Sequence, residues 1–416
     1  MSLTGNIFGR MPKKQATVVR AASAVLLSGV LGLTACTRDY TVAYVYATAA
    51  GNGATGSINE YGVSYQSGAL VPLSGSPVST GSNPVAVVAT SNGLFLYVLN
   101  QNDATVQLFA VGDSGQLTSK GTYTTGTRPT SLALDAANKF LYVTYTYQAG
   151  YTAANPGPGG INIFPVGSDN TLGAASNVNI GNNPAGIVAS NFDSYVYVID
   201  AESAVGSASP FGVLLAFSQN ASSGALTPIG ATKITTDVSG KTVATGYGAG
   251  TVPSAIAEDP RARFVYVTDR ATNQLYGNTV ISGGLLQPMQ NSPFATGLLP
   301  VGVTVDPRGR YLYVSNYNSN SVGAYVIDQS TGAATGTASS NSTSVGTGPT
   351  CLSIEPALGV YLYTSNNLDN TTTGLKLDAH NGTLAAAQNS PYPANGTPTC
   401  IVTVANGAHA SQVVNP

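Results

Sequence analysis

The chain has 416 residues, of which 8% are charged, with a formal net charge of −2, so no basic surplus recommends nucleic acid as a partner. Three cysteines and two histidines leave no Cys/His metal cluster, and no cofactor motif is present. Abundant Gly, Ser, Thr and Asn suit an extracytoplasmic all-β protein with many turns; length alone suggests two or three domains, but an internal repeat overrides that expectation.

Arg10, Lys13, Lys14 and Arg20 form a basic N-terminal region. Residues 21–35 follow as an apolar run, too short for a comfortable membrane span. The run ends in Leu33-Thr34-Ala35-Cys36, which resembles a bacterial lipoprotein lipobox. That resemblance implies a signal peptide over residues 1–35, cleavage before Cys36 and lipid on its thiol and new amino group. Residues 36–39 then form a short anchored linker, and the membrane is a partner through the lipid. The alternative is an ordinary secretory signal with a chance cysteine. Thr37 in place of Asp after the cysteine points, in a proteobacterial lipoprotein, to the outer membrane. The mature chain keeps all 18 acids but 12 of the 16 Lys and Arg, a net charge of −6.

From residue 40 one module repeats. A proline opens it at Pro84, Pro129, Pro184, Pro253, Pro300, Pro349 and Pro398, and a branched apolar residue stands three places on. A second run carries Tyr97-Val98, Tyr142-Val143, Tyr197-Val198, Tyr266-Val267, Tyr313-Val314 and Tyr363-Thr364. The copy at 300–316, PVGVTVDPRGRYLYVSN, shows the logic: two alternating apolar runs around Asp-Pro-x-Gly, which is turn chemistry, predict a β-hairpin. A third strand follows with Phe109, Phe164, Phe217, Tyr276 or Tyr325 near its centre. A hairpin marked Gly68-Ala69-Leu70, Gly115-Gln116-Leu117, Gly224-Ala225-Leu226 or Gly382-Thr383-Leu384 leads to a fourth, which often passes through Ser-Pro. Four strands per repeat, seven times over, predict a seven-bladed β-propeller of four-stranded blades.

The two ends are complementary. The first repeat begins at its second strand, Tyr44-Val45-Tyr46, and the last stops after its first, 398–404. The C-terminal strand therefore pairs into the first blade and closes the ring, because an open propeller leaves unpaired edges. Residues 40–404 form one domain, 405–416 a tail, and a monomer is expected. Cys351 and Cys400 occupy matching places in consecutive repeats. In an oxidising compartment they can form a disulfide; the alternative is two small buried residues on strands too far apart to bridge.

These modules resemble the lactonase-type seven-bladed propeller family, which includes bacterial 6-phosphogluconolactonase and fungal carboxy-muconate cyclase. The residues that carry the resemblance are the Asp-Pro-x-Gly-Arg-x-Leu-Tyr-Val-x-Asn module and the Gly-Ala-Leu and Ser-Pro hairpins, over nearly all of 40–404. They are scaffold motifs. The resemblance implies a lactone hydrolase, with His, Glu and Arg near the ring centre for the muconate type. His380 lies in an outer hairpin and His409 in the tail, so that set is not present on the expected face.

Departures from the repeat locate the candidate site. From the second-strand Tyr to the third-strand aromatic, blades two and six need 12 residues, blade three 22 and blade four 20. From the hairpin Leu to the next proline, blade four needs 27. The insertions, 145–160, 201–212 and about 231–251, fall on one face around blades three to five. Rigid scaffolds carry binding loops in this way, although surface loops also grow at little thermodynamic expense. Candidate ligand-binding residues there are Asn83, Tyr145, Tyr147, Asn183, Asp200 and Asp269; recurring Asn and Asp at this repeat place also close local turns. Arg128, Glu202 and Arg270 break the repeat and are the candidate catalytic set, a carboxylate and two guanidiniums near the axial channel. Glu258 stands where other blades hold uncharged residues, either buried with a perturbed carboxyl or reaching solvent at the strand end. Arg261, Arg263, Arg308 and Arg310 are read as solvated turn residues on the other face.

Two readings follow. The chain hydrolyses a sugar lactone or related cyclic ester at the central channel, with Glu202 or Asp200 as base and Arg128 and Arg270 on the oxyanion. Alternatively it is a non-catalytic cell-envelope module that binds a glycan, peptide or partner protein through the enlarged loops.

Overall fold

The computed structural model describes residues 40–407 apart from 52–54, 193, 203–210, 239 and 338–340. The leader with Cys36, and the tail from 408 with His409, lie outside the described residues.

Each proline-led run forms an inner strand, and the Tyr-Val run pairs against it. In blade six Pro300–Val305 pairs antiparallel with Tyr311–Asn316, Val303 opposite Val314, and a bulge follows Pro300. Ser321–Ile327 is the third strand. Seven such sheets form the ring. Their inner strands, from blade one to blade seven, are Thr397–Ala405, Pro84–Ala89, Thr127–Leu134, Asn182–Ala189, Pro253–Glu258, Pro300–Val305 and Pro349–Ile354. The C-terminal strand closes the ring on Thr41–Ala50, with Val402 opposite Tyr46. Cys400 on that strand is bonded to Cys351 on the inner strand of blade seven, Cα to Cα 4.8 Å.

The fourth strand departs from expectation. In five blades it is broken into two short pieces that both pair with the third strand, as Leu285–Pro288 and Phe294–Ala295 do with Gln274–Ile281. Proline has no N–H for the ladder, and Pro77, Pro293 and Pro391 stand at three of the breaks. The preceding serine fills the gap: Ser76, Ser292 and Ser390 Oγ accept the N–H of Glu60, Gly277 and Gly374 at 2.9–3.0 Å.

The blades are latched by the repeated tyrosine. Tyr46, Tyr97, Tyr142, Tyr197, Tyr266, Tyr313 and Tyr363 have no exposed surface. Each hydroxyl donates to a carbonyl in the outer hairpin of the next blade: Gly115, Asn170, Gly224, Gly284, Gly332, Gly382 and Gly68, at 2.6–3.2 Å. Burial pushes the phenols of Tyr46, Tyr266 and Tyr313 far up, so they remain donors. All seven acceptors are left-handed, and six of them are glycine, Asn170 being the exception. At Gly382 φ is +75°, and a Cβ there would lie 2.2 Å from the Tyr311 ring. The Gly-x-Leu signature is thus the receptor for the neighbouring blade. Gly382→Ala is expected to destabilise by about 2–3 kcal/mol, strained backbone plus overpacking. Tyr313→Phe should remove about 1–2 kcal/mol through one buried unsatisfied carbonyl. Guanidinium melts of the two variants check the order.

The turn carboxylates are structural. Asp306 accepts the N–H groups of Arg308, Arg310 and Tyr311; Glu355 accepts those of Leu358, Val360 and Tyr361. The arginines here are not simply solvated. Arg308 donates to the Leu358 and Gly359 carbonyls of blade seven at 3.0 and 2.8 Å. Arg263 lies 2.7 Å from Asp259 and also reaches Gln329 of blade six.

Candidate active site

Strand register defines the looped face. In blade three Pro129, Tyr145, Gly160 and Asn179 lie in one row across the sheet, so the start of the inner strand and the second-to-third loop share an end. At this end the residue before the proline turns left-handed in five blades: Asn83 at φ +50°, Arg128 at +54°, Asn183 at +53°, Leu299 at +53° and Gly348 at +68°. The turn belongs to the repeat; what distinguishes blade three is that a guanidinium stands on it.

Arg128 is exposed and lines a cavity of about 320 Å³ with Thr146, Tyr147, Asn182, Asn183 and the inserted Pro156 and Gly157. No acidic side chain among the described residues pairs with its guanidinium. Thr146 Oγ1 donates to the Arg128 carbonyl at 3.0 Å, which fixes that backbone against the second strand. The wall behind Pro156 is built by two insertions meeting. Within the 231–251 insertion Lys233–Thr236 pairs antiparallel with Thr242–Thr245. Its Lys241 donates to the Pro156 carbonyl at 3.3 Å and lies 5.7 Å over the Tyr151 ring. The third insertion falls largely on 203–210, outside the described residues.

The structure therefore gathers Arg128, Tyr147 and Asn183 from the predicted set and adds Asn182, Thr146 and the 156–157 segment. Sequence reasoning passed over Asn182 and Thr146, although each directly adjoins a residue it chose. Glu202 ends its strand with its backbone opposite Asn182, and its side chain lies outside the described residues.

Other predicted residues lie elsewhere. Arg270 is exposed on blade five and lines neither this cavity nor the axial one. Asp269 is fully buried and closes a turn. Burial would raise its carboxyl, but the N–H groups of Thr251, Val252 and Ala271 and the Thr272 hydroxyl outweigh that and hold it below the usual carboxylate range. Asp200 is also fully buried, against Gly181. Tyr145 is buried, its ring against Gly126 and Gly160, and burial pushes its phenol up. Asn83 donates to Gln101 Oε1, whose amide nitrogen donates to the Pro129 carbonyl; it positions backbone at the blade-three entrance. Glu258 is buried rather than solvated, and its Oε2 accepts the Asn191 N–H of blade four at 2.8 Å.

The axial channel is a separate cavity of about 470 Å³, lined by inner-strand Val, Ala, Ile, Ser and Thr and by the Cys351–Cys400 bond. Among the described residues its lining holds no charged side chain; Arg128 lines the separate cavity beside blade three. Thr130, Ser254 and Thr399 hydroxyls instead donate to the Pro184, Pro300 and Pro84 carbonyls of the next blades. Among the described residues no three His, Cys, Asp or Glu form a metal-ligand group.

Comparison with known proteins bears on this geometry. The family model "Lactonase, 7-bladed beta-propeller" matches residues 43–179 and 233–354. The periplasmic gluconolactonase of Pseudomonas aeruginosa superimposes with a TM-score of 0.69 at 19% identity, over 88% of this chain and all of that one. A candidate 6-phosphogluconolactonase from Bacteroides fragilis does so at 0.66 and 19%, over 89% and 99%. A second, from Bacteroides uniformis, gives 0.67 and 18%, over 88% and 100%. At these identities the likeness is one of fold. Among curated proteins, none matches the sequence.

Proposed function

The chain belongs to the seven-bladed β-propeller lactonase family, and from that premise we propose that it hydrolyses a sugar lactone or related cyclic ester in the Arg128 cavity. The observation that carries the reading is a guanidinium with no acidic partner among the described residues, set in a cavity with Tyr147, Asn182 and Asn183. A cation so placed suits an oxyanion and the carboxylate that follows it.

In this reaction water adds to the lactone carbonyl carbon and Glu202 takes its proton. The oxyanion faces Arg128. The ring C–O bond then breaks, and the leaving alkoxide receives the proton from Glu202. The product is a hydroxy acid that releases one proton to solvent, so turnover is followed as acid release from a panel of aldonolactones. Rates above spontaneous hydrolysis support the reading. The described cavity lining offers no carboxylate or imidazole, which favours the second reading, a glycan-binding module without turnover. No acid release from any lactone, with retained binding of the sugar acids, selects it.

We also infer export and lipid anchoring at Cys36, supported by the basic and apolar leader and by likeness to a periplasmic relative. Cys36→Ser should move the protein from the membrane to the soluble fraction on fractionation. A variant that stays membrane-bound contradicts the anchor.

A further inference from the structure

The substrate class can be narrowed, on the reading of the Arg128 cavity as the lactone site. That cavity is one of three adjoining hollows around Tyr147. A second, of about 460 Å³, shares Arg128 and Tyr147 and extends past Thr152 and Ala153 to Gln101 and Asn102 of blade two. A third, of about 380 Å³, shares Tyr147 and is bordered by Thr124, Asn162, Ala175 and Asn177. Each alone has small-molecule size. A monosaccharide lactone occupies one and leaves the others to water.

Charge decides what the rest of the ligand is. Arg128 is the one charged residue that lines any of the three among the described residues. The nearby Lys241 is directed to the Pro156 carbonyl and the Tyr151 ring. A phosphate monoester carries close to two negative charges. One guanidinium already facing the lactone oxyanion leaves none for it. Apart from alanines, Gly126, Pro156 and Gly157, the remaining lining is amide, hydroxyl and phenol. Those groups both donate and accept, as sugar hydroxyls require, and an aromatic ring with a polar tip suits a pyranose face.

We propose that the substrate is a neutral oligosaccharide ending in an aldonolactone. The lactone ring sits at Arg128, and the following sugar units run past Tyr147 into the neutral hollows.

The test compares kcat/KM of the purified mature protein for a monosaccharide aldonolactone, its 6-phosphate and a disaccharide aldonolactone. The disaccharide should exceed the monosaccharide by about tenfold or more, and the phosphate should bring no gain. Ala153→Trp and Ala175→Trp, both at exposed positions, should lower the disaccharide-to-monosaccharide ratio toward one. A wild-type ratio of one, or a preference for the phosphate, overturns this inference and leaves the hydrolase reading intact. Absence of turnover on every lactone ends the hydrolase reading instead. Calorimetric titration with the mono- and disaccharide acids then decides: tighter disaccharide binding that the tryptophan variants weaken upholds the inference, and equal affinity overturns it.

Discussion

Breaking the Cys351–Cys400 bond is expected to lower stability by about 4 kcal/mol, the chain-entropy value for a loop of this length. The bond spans 49 residues and joins the ring-closing strand to its neighbour. Thr397–Ala405 is otherwise held in blade one by its ladder with Thr41–Ala50. Closure of a propeller depends on this seam, because release of the strand exposes the inner edge of the first blade. Cys400→Ser and treatment with a reductant should shift the guanidinium midpoint by the same amount, and the reductant should add nothing to the variant. An unchanged midpoint in both would show that the ladder alone holds the ring.

Arg128→Ala is expected to lower kcat/KM on the best lactone by about 100- to 1,000-fold, the loss typical of removing one oxyanion donor. Arg128→Lys should recover only part, since an ammonium lacks the planar fork. Folding should not suffer, for the side chain is exposed and forms no ion pair among the described residues. Arg128→Gly provides the sharper contrast. Glycine relieves the left-handed backbone at φ +54°, so its melting temperature should hold or rise while activity falls as in the alanine variant. Loss of activity accompanied by loss of stability would instead make Arg128 a structural residue.

Periodicity made the scaffold legible. The seven prolines and the Tyr-Val pairs mark strands at a fixed spacing, and the complementary ends imply closure. The meaning of Gly-x-Leu was not legible, because its partner is distant in sequence. Tyr313 meets Gly382 across 69 positions, and no local pattern announces that pair. Three of the five broken outer strands follow from prolines whose place was visible but whose effect on the ladder was not.

At the site, departures from the repeat were the useful signal. Arg128, Tyr147 and Asn183 all line one cavity. Depth and angle were not available from sequence. Tyr145 and Tyr147 lie two apart on one strand, yet the first is buried and the second is at the rim. Asp200 and Asp269 are on the predicted face but buried in it. Arg270 was assigned to a shared site because loop order gives the face but not the distance around the ring. Glu258 could be read either way because the Asn191 N–H that donates to it belongs to another blade.

Lactone hydrolysis at Arg128 is tested most directly by the initial rate of acid release from an aldonolactone, measured by pH-stat for wild type and Arg128→Ala at equal folded concentration. The predicted result is release well above the spontaneous rate for wild type and a loss of at least about 100-fold in the variant. Equal rates for the two proteins, or a wild-type rate no faster than water alone, would contradict it.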